Sequence, residues 1–110
     1  MTENEFRKLA LSLAGAEESA HMGHPDFRVG GKVFATLQPA KGMGMVSLST
    51  EQQEIFIKVA PEIFEPVPGG WGRKGATYVR LSAASKKIVR EAMSSAWRNR
   101  ASRKLLKEVE

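Results

Sequence analysis

The chain has no cysteine, and that one absence removes disulfides, thiolate metal sites and cysteine nucleophiles together and fits a reducing compartment. No apolar run approaches the roughly 18 residues that a membrane span needs, so no membrane partner is expected. Glu3 and Glu5 stand where a signal peptide would carry positive charge ahead of an apolar core, and a cytoplasmic location follows as the expectation. There is no Gly-x-Ser-x-Gly elbow and no Walker ending of Lys followed by Ser or Thr, which takes away the usual hydrolase and phosphate-loop nuclei. Acidic residues become scarce past residue 70, where only Glu91, Glu108 and Glu110 occur.

What is present fits one α+β domain over residues 1–110. With 42% hydrophobic residues, 110 residues can bury a single core without cross-links. The net charge of +5 hides an uneven distribution. Residues 1–70 hold six Lys/Arg against nine Asp/Glu, a balance of −3, and residues 71–110 hold eleven against three, a balance of +8. A basic half of this kind can face an anionic partner or can simply be solvated.

Thr2 and Glu5 have capping-box spacing, and Phe6, Leu9, Ala10 and Leu13 recur at helical intervals, so a first helix runs toward Gly15. Residues 16–22 have weak strand character. The strongest local feature is Gly30-Gly31 between two alternating runs, His24–Val29 and Lys32–Leu37, which specifies a two-residue hairpin. In it Phe27 and Val29 are expected on one face, and Val33, Ala35 and Leu37 opposite Lys32, Phe34 and Thr36. Residues 43–48 read as another strand, with Gly44 as a possible bulge. Ser49 or Thr50 caps a second helix that buries Ile55, Phe56 and Val59 and stops at Pro61. Residues 62–72 are expected as an ordered loop with a short extended start, with Trp71 folded back on the core, and residues 76–81 as a last strand. Ile88, Val89, Ala92, Met93, Ala96 and Trp97 form one helical stripe. Continued at the same pitch, that stripe would take in Arg103 and Lys107, so a break is expected between Asn99 and Ser102 with a short helix after it. The order α-β-β-β-α-β-β-α describes an antiparallel sheet of about five strands with helices packed on it.

Three groups of residues could carry chemistry. His21, His24 and Asp26, with Glu17 and Glu18 upstream, offer imidazole and carboxylate ligands, but their spacing matches no metal signature, and neither a metal nor a catalytic role is assigned to them. The run Gly69 to Gly75 is rich in glycine, yet it precedes a strand and so has no helix N-terminus to offer a phosphate. Basic residues remain, some beside aromatics, including Lys86, Lys87, Arg90, Arg98, Arg100, Arg103 and Lys104 toward the C-terminus. Arg28 and Lys32 on either side of the glycine pair, with Arg73, Lys74 and Arg80, are the expected phosphate contacts of a nucleic-acid-binding surface.

The succession Phe6-Arg7-Lys8-Leu9-Ala10-Leu11-Ser12-Leu13, Glu17-Glu18, His21, Asp26-Phe27-Arg28-Val29, Gly31-Lys32-Val33-Phe34-Ala35, Gly70-Trp71-Gly72 and Ala96-Trp97-Arg98 resembles the MmcQ/YjbR family of small bacterial proteins. The resemblance runs from the first helix to about Lys104, with Glu17, His21, Phe27, Lys32, Phe34, Trp71 and Trp97 at motif positions. Ala76 departs from it, standing where the family carries a bulky residue. The resemblance implies a CyaY-like, secretion-chaperone-like α+β fold and a double-winged DNA-binding surface, and it offers no catalytic residues to carry over; neither enzymatic activity nor a small-molecule cofactor is expected. DNA is thus the first expected partner, and the alternative is a protein-interaction or chaperone-like module with no nucleic-acid activity.

Overall fold

A computed structural model describes residues 1–109. Helix α1 (Glu3–Leu11) starts at a complete capping box, in which the Glu5 N–H donates to the Thr2 hydroxyl at 3.1 Å and the Thr2 N–H donates to the Glu5 carboxylate at 2.9 Å. Strands β1 (Ala16–His21), β2 (His24–Val29), β3 (Lys32–Gln38) and β4 (Met43–Ser47) follow as a meander. Helix α2 (Thr50–Val59) is capped by Ser49, with Gln52 completing the reciprocal bonds. Then come β5 (Phe64–Pro66), the single helical turn α3 (Gly70–Arg73), β6 (Ala76–Arg80), α4 (Lys86–Arg100) and α5 (Arg103–Glu108).

The strands form one antiparallel sheet in the order β1-β2-β3-β4-β6-β5. Among the described residues there are six strands where about five were expected: the weak run 16–22 pairs as well, and the extended start of the 62–72 segment becomes the short edge strand Phe64–Pro66 outside β6. The break after α4 falls where the stripe argument put it, with Ala101 leaving the helix in extended conformation and the Ser102 hydroxyl accepting from Leu105 N–H at 3.1 Å to start α5.

Cross-strand register fixes the two faces. Phe27, Ala35, Val46 and Thr77 lie in one row and are buried, while Asp26, Thr36, Met45 and Tyr78 form the neighbouring row on the other face. α1 and α4 cover the first face, where Phe6 packs on Phe27 at 6.2 Å between ring centroids. The Arg7 guanidinium reaches Glu18 of β1 at 3.0 Å on that side. Burying Phe6 completely is worth about 2 kcal/mol, and the buried face of α4, Val89, Ala92, Met93, Ala96 and Trp97, continues the same core.

Four local expectations are corrected. Phe34 does not share an outward face with Lys32 and Thr36: the register shifts so that Phe27 pairs with Ala35 and Arg28 with Val33, leaving Phe34 as the extra residue of a bulge, fully buried beside Ala35. Gly44 makes no bulge; its pairing is regular, and a Cβ there would come 2.5 Å from the Phe6 ring, so glycine is what lets α1 approach β4. In α2 the inward positions are Gln53, Phe56 and Ile57, followed by the capping Ala60, while Ile55 and Val59 are 61% and 67% exposed. Trp71 does not fold onto the core either, being 75% exposed.

Candidate nucleic-acid interface

The hairpin turn has the backbone that its residues specify. Gly30 and Gly31 both have positive φ, 58° and 79°, the pair of left-handed conformations that a tight hairpin of this hand needs. Register shows what else lies at this end of the sheet. Ser47 ends β4 level with the start of β3, and Ala76 pairs with Ser47, so the loop leading into β6, which carries α3, lies at the hairpin end. Arg80 pairs with Met43 at the opposite end.

The last turn of α4 arrives at the hairpin end as well. Arg100 Nε–H donates to the Val33 carbonyl at 3.3 Å, and the Asn99 amide donates to the Ser47 carbonyl at 3.1 Å and to Gln52 Oε1 at 2.8 Å. α4 therefore runs from Lys86, whose ammonium sits 2.8 Å from Glu5, to the hairpin end of the sheet. α5 starts there too, with Leu105 beside Gly15 ahead of β1.

The five expected phosphate contacts divide accordingly. Lys32, Arg73 and Lys74 are exposed at the hairpin end, and none is in an ion pair among the described residues. Arg28 is occupied: its Nε and Nη2 donate to the two oxygens of Asp26 at 2.9 and 3.0 Å. Asp26 is only 1% exposed, and its hydrogen bonds and charge push the already high pKa of Arg28 further up. Arg28 also lies on the sheet face opposite Val29, whereas Lys32, paired with Val29, lies on the helix-covered face, so the two do not form one wing face. Arg80 is at the far end, holding Glu65 at 2.8 Å and the Glu62 carbonyl at 2.7 Å.

What sequence reasoning left out of the contact set is the C-terminal contribution: Arg98, Arg100, Arg103 and Lys104 are all exposed and flank the α4–α5 break at the hairpin end. The +8 balance pointed to them, but the direction of α4 across the sheet is a tertiary fact. Glu51 in the first turn of α2 and Glu17 opposite Arg28 are the acidic residues placed at this end by cap and register.

Gln53 is the second omission. Its side-chain amide, buried under α2, is shared by three acceptors, the Gly72 carbonyl at 3.0 Å and the Ala76 carbonyl and Thr77 hydroxyl at 3.1 Å. Its position three residues before Phe56 and four before Ile57 was the available clue that it faces inward.

The remaining motif positions are structural or exposed. Phe27 and Phe34 are core, and Trp97, 4% exposed, donates its indole N–H to the Ala14 carbonyl at 2.9 Å, tying α4 to the α1–β1 connection. His21 and His24 are exposed cross-strand partners beside the β1–β2 turn. Asp26 is engaged by Arg28, and no group of three or more His, Asp or Glu among the described residues is arranged to hold a metal. Among the described residues no helix is long and apolar enough to cross a membrane.

No curated protein and no solved structure matches the chain. A family model does. YjbR matches residues 11–99, a span that holds the six-stranded sheet, the Gly70-Trp71-Gly72 turn and α4 up to the Asn99 bonds, and by that match the chain belongs to the YjbR family.

Proposed function

We propose that this protein binds DNA through the hairpin end of its sheet, gripping the phosphate backbone with Lys32, Arg73, Lys74 and the basic residues around the α4–α5 break. The observation that carries the reading is convergence: three segments far apart in sequence bring to one end of the fold exposed cations that form no ion pair among the described residues. Such cations displace condensed counterions from a phosphate backbone, which gives affinity without sequence preference and with steep salt dependence. The activity proposed is binding alone, as a cytoplasmic module without chemistry.

The protein-interaction reading has one supporting feature, the free edge of β1, which is exposed along nearly its whole length. That edge carries Glu17 and Glu18, charges of the kind that discourage a further strand from pairing. The test is anisotropy of a labelled duplex titrated with protein at graded salt. Binding at low salt that falls linearly on a log–log plot supports the proposal, and absence of binding at low salt refutes it.

A further inference from the structure

From the loop that carries Trp71 we infer a stacking platform for an unpaired base, which makes single-stranded nucleic acid the favoured ligand of this end of the fold. The inference rests on the phosphate-binding reading and adds a ligand class to it. A tryptophan this large is ordinarily buried for about 2–3 kcal/mol of hydrophobic stabilisation. Here it is 75% exposed although its own loop is firmly held.

The holding is specific. A Cβ at Gly72 would collide with the Val67 carbonyl, and one at Gly75 with the Leu48 carbonyl, so the loop passes directly against two neighbouring backbones. The Val67 N–H bonds to the Ala76 carbonyl at 3.0 Å across its base. Gln53 fixes the Gly72 carbonyl from beneath. Trp71 thus stands on a fixed turn, and its neighbours in sequence, Gly70 and Gly72, have no side chains to cover the indole.

Arg73 and Lys74 follow directly, exposed and free of ion pairs among the described residues, with Lys32 at the same end. An open aromatic face beside cations is the combination that binds single strands: bases stack on the ring while the cations follow the backbone. In an intact duplex the base faces are already stacked on one another, so the indole has nothing equivalent to gain there.

The test compares oligothymidylate of about 15 nucleotides with a duplex of the same length, by anisotropy at several salt concentrations, for the intact chain, Trp71→Ala and Trp71→Phe. Tryptophan emission is followed in parallel; Trp97 is buried, so the difference between intact chain and Trp71→Ala reports Trp71. The expected result is tighter binding of the single strand, with Trp71 emission quenched. Trp71→Ala should lose about tenfold in affinity for the single strand with the salt slope and duplex affinity unchanged, and Trp71→Phe should retain most of the affinity. Loss of both ligands equally, or unchanged binding of the single strand by Trp71→Ala, overturns the stacking inference and leaves the phosphate reading standing. No binding of either probe at low salt overturns both.

Discussion

The buried amide of Gln53 lies 3.0 Å from the carbonyl oxygen of Gly72, and through that bond helix α2 holds the turn that displays Trp71, Arg73 and Lys74. The same amide reaches Ala76 and Thr77 at the start of β6, and the Thr77 hydroxyl donates in turn to the Gly75 carbonyl at 2.8 Å. Replacing Gln53 with Ala takes the amide donor from the Thr77 hydroxyl and one of two donors from each of the Gly72 and Ala76 carbonyls, which keep the backbone bonds from Gly75 and Val67. The expected cost is about 1–3 kcal/mol, read as a lower urea midpoint, with faster amide exchange concentrated in residues 69–76. An unchanged midpoint would show that the bond does not hold the turn.

Gly44 and Phe6 make a second coupled pair. Gly44→Ala places a Cβ about 2.5 Å from Phe6 Cε2, so either the ring or α1 must move, at a cost of about 1–3 kcal/mol. Phe6→Leu removes the atoms in the way. The double variant should therefore be more stable than the sum of the two single effects predicts, by at least about 0.5 kcal/mol; strict additivity in urea melts would mean that the close approach is relieved elsewhere.

The pair Asp26 and Arg28 is asymmetric, with a carboxylate 2% exposed and a guanidinium side chain 36% exposed. Arg28→Met strands the buried carboxylate and should lower the urea midpoint, with the partial exposure of the guanidinium limiting the loss. Changing Asp26 to Leu in the same chain should recover most of that loss, since an apolar pair of similar size avoids the desolvation cost of both charges. A double variant no more stable than Arg28→Met would contradict this account.

Acid stability should depend on Glu5. The Lys86 ammonium, then the Thr2 N–H, hold its carboxyl down to about 2 from an ordinary 4.5. Because the folded-state value is depressed, the contribution is present above about pH 4.5 and is lost as pH falls through about 2. Glu5→Gln should flatten the fall of the urea midpoint across that window, with little change in slope at neutral pH. An acid limb identical to that of the unaltered chain would remove Glu5 from the explanation.

Much of the fold was legible because it is written locally. The reciprocal caps at Thr2 and Ser49, the Gly30-Gly31 turn and the break at Ala101 each depend on residues within a few positions of one another. The insertion of β6 between β4 and β5 was not legible, nor was the bulge at Phe34, because both are settled by which strands meet. Ile55 and Val59 were misplaced because an apolar residue on a short helix shows its face only once the neighbour is known, and here Gln53 takes an inward position for its three hydrogen bonds. The candidate site was half legible. Lys32, Arg73 and Lys74, expected as phosphate contacts, share an end of the sheet, but Arg28 and Arg80 are engaged by carboxylates, and the tail cations join only because α4 crosses the sheet in the direction it does.

Because α4 runs from the far end of the sheet to the hairpin end, charge can be removed separately at its two ends. The triple variant Lys32→Gln, Arg73→Gln, Lys74→Gln neutralises the hairpin end, and the triple variant Lys86→Gln, Lys87→Gln, Arg90→Gln removes the same charge from the opposite end of α4. The salt dependence of duplex binding should fall in magnitude by about one per residue in the first variant and hardly change in the second, the first melting like the unaltered chain and the second slightly lower through loss of the exposed Lys86–Glu5 pair. Equal losses in the two variants would make the attraction a matter of net charge and contradict an interface at the hairpin end.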